Sequence, residues 1–185
     1  MKRLLVLVLI AVLLTGCKND QQYSHGLALR QDLLSSQGCS FNAIITADYG
    51  EKYYTFEMQC QTDPDGALSF QVIRPESISG ITGVVSSQGG KLTFDDKALL
   101  FEMLADGQLT PVSSPWVMIN ALRGGSIRSG GIDGEETYLQ IDDTFGGDTL
   151  RVDLWLSQDD LPVAADILYD GKRILSLEVT NFTFL

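Results

Sequence analysis

From Cys39 onward, apolar and polar positions alternate along the chain. Phe41, Ala43, Ile45 and Ala47 alternate with Asn42, Thr46 and Asp48. After Tyr49-Gly50, Tyr54, Phe56, Met58 and Cys60 alternate with Tyr53, Thr55, Glu57 and Gln59. Period two marks a half-buried strand, so these two runs predict a hairpin. Asp63-Pro64-Asp65-Gly66 has the composition of a turn. Strands follow near 67–74, 77–86, 91–95 and 98–104, and again near 136–143, 148–156, 162–169 and 172–184. Short Gly-, Asp- and Pro-containing segments separate them, among them Asp95-Asp96-Lys97 and the two-residue turn Asp170-Gly171. Strands joined by short turns are antiparallel neighbours. The expected fold is mainly β (α+β): a curved antiparallel sheet of about ten strands forming an open half-barrel, with an N-terminal helix and a central lid or plug helix.

The N-terminal helix spans Tyr23–Ser36, with Tyr23, Leu27 and Leu34 on one face, Leu33 beside it and Gly38 after its end. Gly26 counts against it. The central helix starts at Ser113 or Ser114 as N-cap, with Pro115 at its first position, and puts Pro115, Met118, Ile119 and Leu122 on one face. Gly124 stands where a left-handed C-cap belongs. Residues 124–135 read as a flexible Gly-rich connection.

Strand pairing bears on two of the three cysteines. If Asp48 and Glu51 flank a Tyr49-Gly50 turn, Ile45 faces Tyr54, Ala43 faces Phe56, Phe41 faces Met58 and Cys39 faces Cys60. A slip of one residue would set Phe41 against Glu57 and spoil the apolar face, so burial selects this register. The 39/60 position is then a non-hydrogen-bonded pair, where side chains approach most closely, and a Cys39–Cys60 disulfide is expected. Two buried free thiols are the alternative.

Ahead of this domain, Lys2 and Arg3 precede an uncharged apolar run, Leu4–Leu14, which is too short to span a bilayer. The run ends in Leu14-Thr15-Gly16-Cys17. This resembles the lipobox of bacterial lipoproteins, which implies diacylation of Cys17 and cleavage before it. The expected organisation is a signal peptide at 1–16, a lipidated tether at 17–22 and one domain at 23–185. The mature chain is then 169 residues, and its 11 basic against 24 acidic residues give a formal charge of −13. Such a surface repels phosphate backbones, so nucleic acid is not an expected partner. The expected membrane contact is the N-terminal diacylglycerol lipid. It places the chain outside the cytoplasm on the cell membrane, or on the outer membrane where a cell has two.

Little in the sequence points to catalysis, and no enzyme activity is expected. There is no Gly-x-Ser-x-Gly, no Gly-x-x-x-x-Gly-Lys and no His-Glu-x-x-His. The single histidine, His25, lies in the first helix, and without Cys-x-x-Cys neither a metal nor another cofactor is expected. The pairs Asp95/Asp96, Asp142/Asp143 and Asp159/Asp160 read as solvated turn residues. What remains is the concave sheet face. Phe41, Ala43, Ile45, Tyr54, Phe56, Met58, Phe70, Val72, Phe101 and Leu154, with Trp116, Met118 and Ile119 of the central helix, are its candidate lining, joined by Val84 and Leu99. These side chains carry no charge, so a ligand among them would be apolar, such as an acyl chain. The alternative is that they form the domain's own core.

The layout resembles the LolA/LolB-like lipoprotein carrier and acceptor superfamily, which includes the RseB/MucB-like stress sensors. The resemblance lies in an N-terminal helix, Phe41-Asn42-Ala43 opening a hairpin, and Val72-Ile73-Arg74-Pro75. It continues in Leu92-Thr93-Phe94-Asp95, a central helix, Leu161-Pro162-Val163 and Val179-Thr180-Asn181-Phe182-Thr183-Phe184. It implies an open antiparallel barrel under helices, holding lipid or lipoprotein acyl chains. A chain that carries its own lipid would be an anchored acceptor or a tethered sensor, and none of the family's functional residues is carried over. The two readings are thus a non-catalytic apolar-ligand binder and an envelope protein-interaction module with a solid barrel core.

Overall fold

The computed structural model describes residues 20–48, 50, 53–101, 104–105, 108–145 and 147–185. Cys17, the segment 1–16 and the loop residues Tyr49, Glu51 and Lys52 lie outside the described residues. Helix α1 (Asp20–Ser35) comes first, followed by strands β1 (Cys39–Asp48), β2 (Tyr53–Thr62), β3 (Leu68–Arg74), β4 (Thr82–Ser86), β5 (Gly89–Phe94) and β6 (Lys97–Phe101). A two-stranded ribbon, β7 (Leu104–Ala105) and β8 (Gln108–Leu109), leads into helix α2 (Ser114–Gly124). Strands β9 (Ser126–Asp133), β10 (Glu136–Phe145), β11 (Asp148–Leu156), β12 (Pro162–Tyr169) and β13 (Lys172–Phe184) complete the chain.

Eleven strands form one antiparallel sheet in the order β6-β5-β4-β3-β2-β1-β13-β12-β11-β10-β9. Each neighbour in the sheet is also consecutive along the chain except at β1·β13, where the first and last strands join two meanders into one sheet. The sheet ends at β6 and β9, so it is an open half-barrel, as the alternation predicts. Its inward positions are almost all apolar and buried: Phe41, Ala43 and Ile45 on β1, Phe56, Met58 and Cys60 on β2, Val152 and Leu154 on β11, Leu175 and Leu177 on β13. Two inward glycines face aromatic partners across strands, Gly83 opposite Phe70 and Gly90 opposite Phe101. A Cβ on Gly83 would stand 2.5 Å from the Phe70 ring, so each ring fills the place of the missing side chain.

Several turns follow the local chemistry of the sequence. Asp170 and Gly171 both have positive φ, as do Asp95 and Asp96, which suits two-residue hairpin turns. The Asp63–Gly66 turn is closed by its own aspartate, whose carboxylate accepts from Ala67 N–H at 2.9 Å.

The hairpin β1–β2 differs from expectation. Phe41 faces Cys60, Ala43 faces Met58, Ile45 faces Phe56 and Asp48 faces Tyr53. The register has slipped by two residues, which leaves every side chain on its expected face. Asp48 governs the shift. Its carboxylate accepts from Gly50 N–H at 2.8 Å and from the Tyr53 hydroxyl at 3.0 Å, closing a four-residue connection in place of a two-residue turn. These two donors hold its pKa below the ordinary value. At the far end, Cys39 therefore meets Thr62. Its N–H donates to Thr62 Oγ1 at 2.9 Å, and its sulfur lies 3.3 Å from the same oxygen. Both cysteines are buried free thiols, and the expected disulfide is not formed.

Three further differences concern the helices and the glycine-rich segment. Gly26 lies against the sheet, where a Cβ would come within 2.9 Å of Leu139 and 3.0 Å of Ile127; the glycine is a contact surface. Residues 126–133 are not a loop. They form edge strand β9, paired with β10 over Glu136–Asp142. Gly130 in that strand lets α1 approach, since a Cβ there would sit 2.8 Å from Gln22 Cβ. Gly124 is the last helical residue, and the cap is Gly125 in extended conformation at φ −64.

Candidate functional site

α2 is short, preceded by a 3-10 turn at Pro111–Ser113, and Ser113 precedes it without a side-chain cap. Its serines instead fold back on that turn: Ser113 Oγ donates to Thr110 O at 2.6 Å and Ser114 Oγ to Pro111 O at 2.7 Å. Ser114, Pro115, Trp116, Val117, Met118, Ile119, Ala121 and Leu122 are all buried. Only Asn120, Arg123 and Gly124 reach toward the surface; a helix buried on its other sides is a plug and not a lid. Polar contacts fix it in place. Trp116 Nε1 donates to Gly66 O at 2.9 Å, Asn120 donates to the Asp143 carboxylate at 2.8 Å, and Arg123 donates to Pro64 O at 2.9 Å. The Trp116 ring meets Phe145 edge-on at 5.6 Å.

At the C-terminus of α2, Arg30 of α1 donates to Leu122 O and Gly125 O at 2.6 Å each, and to Ala121 O at 3.4 Å. A helix leaves its last carbonyls without internal partners and its C-terminus partially negative, so a guanidinium there satisfies both needs.

The plug decides the fate of most of the expected lining. Phe41, Ala43, Ile45, Met58, Phe70, Leu154, Trp116, Met118 and Ile119 are 0–4% exposed and belong to one packed core. Phe101 packs against that core near the β6 edge. Val84 points to the outer face, and Leu99 faces inward at the β6 edge, beyond the packed core. Phe56 and Val72 belong to the same core, and together with exposed Tyr54 they border an apolar cleft of about 520 Å³ beside the N-terminal end of α2.

This cleft is built from four pieces of chain. β2 contributes Tyr54 and Phe56 at its start, and β3 contributes Val72 near its end. A 3-10 turn at Glu76–Ile78 then folds back along β3: Gly80 N–H donates to Val72 O at 2.9 Å, and Val72 N–H donates to Ile81 O at 2.8 Å. That return sets Ile78 and Ile81 against the core. Leu92 of β5, Pro111 and Val112 close the remaining side. Among the described residues no charged side chain lines the cleft, and Tyr53, Tyr54, Thr55 and Ser77 are the hydroxyl-bearing residues at it. Its volume lies within the range of small-molecule sites. Tyr54 is half exposed, at 50%, so the cleft is open to solvent. The strand expected over 77–86 hid Ile78 and Ile81, although Pro75 at its start is the residue that breaks a strand.

The titratable groups singled out in the sequence serve structure. Asp95 and Asp96 shape a turn, Asp142 pairs with Arg128 at 2.8 Å, and Asp143 holds Asn120. His25 Nδ1 lies 2.8 Å from the Asp160 carboxylate and ties α1 to the β11–β12 turn. Burial pushes the pKa of the Cys39 and Cys60 thiols up, which disfavours the nucleophilic thiolate. Among the described residues, no group of three or more His, Cys, Asp or Glu is placed to hold a metal ion, and no helix is long and apolar enough to cross a membrane.

No family model matches the chain. No curated protein matches it by sequence. Solved structures do. A DUF1329 family protein from Desulfovibrio piger superposes with a TM-score of 0.51 at 11% identity, over 89% of this chain and 92% of that one. A LolA superfamily protein from Nitrosomonas europaea gives 0.47 at 10% identity, over 86% and 93%. The MucA/MucB complex of Pseudomonas aeruginosa gives 0.40 at 17% identity, over 87% of this chain and 57% of that one. At 11% identity the likeness to the Desulfovibrio piger protein is one of fold alone.

Proposed function

We propose that the chain is an extracytoplasmic lipoprotein, anchored through diacylated Cys17, that holds an apolar ligand such as a lipid or lipoprotein acyl chain in the cleft beside α2. It does so by burial, without covalent chemistry. One observation carries this reading: Tyr54, Phe56, Val72, Ile78, Ile81, Leu92 and Val112 converge on an open apolar cleft of about 520 Å³. The resemblance in layout implies the same ligand class, and the leader ending in Leu14-Thr15-Gly16-Cys17 supports the anchor.

A second reading, an envelope protein-interaction or sensor module, is favoured by a different observation: the interior beneath α2 is solid, with Val117 and Met118 fully buried. Native mass spectrometry of the domain from Lys18 onward separates the two. A co-purified lipid, or adducts with added palmitate at micromolar concentration, is the expected result. A clean apo mass without palmitate binding turns the assignment to the second reading. Metabolic labelling with radioactive palmitate, lost on Cys17→Ser, tests the anchor.

A further inference from the structure

Helix α1 carries apolar side chains on two faces. Gly26, Leu29 and Leu33 face the sheet, and the two leucines are buried. The other face holds Tyr23, Leu27 and Leu34, which are 43%, 42% and 55% exposed. At 100° per residue these three lie within about 40° of one another, in a stripe about 16 Å long. Leu27 and Leu34 border a shallow recess with Arg30, Gln31 and Ser35. Arg30 falls in the same line, but its guanidinium is engaged with the carbonyls of α2. Asp32 is exposed on the opposite side of the helix, and His25 is turned to Asp160.

We propose that this stripe rests on the lipid bilayer that holds the anchored chain, as a second and non-covalent membrane contact that orients the domain. The proposal rests on the anchor reading for Cys17 and is independent of what the cleft binds. Three residue steps separate Cys17 from Asp20, the first described residue of α1. They span at most about 11 Å. The headgroup zone is roughly 5–8 Å thick on each side of a bilayer. The first turn of α1 is therefore held near the lipid surface, and the domain's tilt and rotation about that point are the freedoms that remain. The exposed stripe sets both, because laying it along the lipid removes three apolar side chains from water. Tyr23 stands nearest the anchor, and tyrosine favours the membrane interface. The contact is hydrophobic and not electrostatic, since the mature chain's formal charge of −13 repels anionic lipid.

The test uses the full chain, expressed with its leader, purified from membranes and reconstituted in phosphatidylcholine vesicles. A nitroxide is attached at Leu27→Cys or, as control, at Asp32→Cys; Cys39 and Cys60 are buried and do not compete for label. Collision rates with oxygen and with a water-soluble nickel chelate report immersion. The Leu27→Cys label is expected to favour oxygen over nickel several-fold more than the Asp32→Cys label. Equal nickel access at both sites on vesicle-bound protein overturns the stripe contact and leaves the anchor standing. Protein that does not float with vesicles overturns both. A Leu27→Cys label shielded from both agents marks a protein contact and overturns the lipid assignment.

Discussion

Replacing Leu92 with tryptophan fills the proposed cleft without touching the plug. Leu92 is partly buried at the cleft wall on β5, where strand geometry accepts an aromatic side chain. The larger ring takes the room of about two to three methylene groups. Each methylene that an alkyl ligand can no longer bury costs about 0.8 kcal/mol, so binding weakens by roughly 2 kcal/mol, or about thirty-fold in Kd. The assay is displacement of an environment-sensitive fluorescent fatty acid by palmitate, with thermal unfolding run in parallel. We expect the Kd of Leu92→Trp to rise by this factor while Tm stays within about 2 °C of the parent. An unchanged Kd at unchanged Tm would falsify the cleft assignment. The interior can be tested in the same way, because Met118→Ala opens space beneath α2; a rise in affinity there would move the ligand into the core.

The remaining predictions concern what holds the fold together. Met118 is fully buried, so Met118→Ala should cost about 2–4 kcal/mol and lower Tm by roughly 4–16 °C in calorimetry. Arg30→Met removes three hydrogen bonds to the end of α2 and should cost about 2 kcal/mol in urea unfolding, whereas loss of an exposed charge would be nearly silent. Denatured, unreduced mature protein should titrate with two free thiols, and native protein with none, because Cys39 and Cys60 are buried and their pKa is raised. Burial, with Asp153 beside it, pushes the Tyr138 pKa up to about 12. The folded state then keeps a proton that the unfolded state releases above its ordinary value near 10. Stability from this group is full below about pH 10 and falls as pH rises toward 12; Tyr138→Phe should flatten that alkaline loss in unfolding curves.

How much was legible follows from what a pattern can and cannot encode. Alternation reports which face a residue takes, and it assigned the inward sides of β1, β2, β3 and β11 correctly. It is blind to a slip of two, because such a slip moves no residue across the sheet. The Cys39–Cys60 pairing depended on the very count that alternation leaves free, and a carboxylate at Asp48 reset that count. β9 was missed for a related reason: an edge strand pairs through its backbone, and Gly130 and Gly131 carry no side-chain pattern to read. The α2 segment was recognised from Pro115 and its apolar run. Its burial on further sides was not, since Trp116, Val117 and Ala121 lie off the face that periodicity selected. Of the cleft, Tyr54, Phe56 and Val72 were in view, while Ile78, Ile81 and Val112 come from turns whose paths depend on tertiary contacts.

The two helices divide the concave face, and their energetics decide how α1 can meet a membrane. One route is for α1 to leave the sheet and lay its inner leucines in lipid. Leu29 and Leu33 are 2% and 1% exposed, so moving them from core to hydrocarbon gains almost nothing, lipid being about as apolar as the interior. The loss is concrete. Arg30 would give up its three carbonyl partners, the last turn of α2 would lose its cap, and His25 would part from Asp160. Hydrogen bonds to a charged group contribute roughly 1.5–3 kcal/mol each. Even one such loss makes the detached helix at least about ten-fold rarer, and the set makes it negligible. α1 therefore meets lipid while docked, with Tyr23, Leu27 and Leu34 outward. The same Arg30 that caps the plug keeps that outer stripe in a fixed orientation beside the cleft-bearing domain.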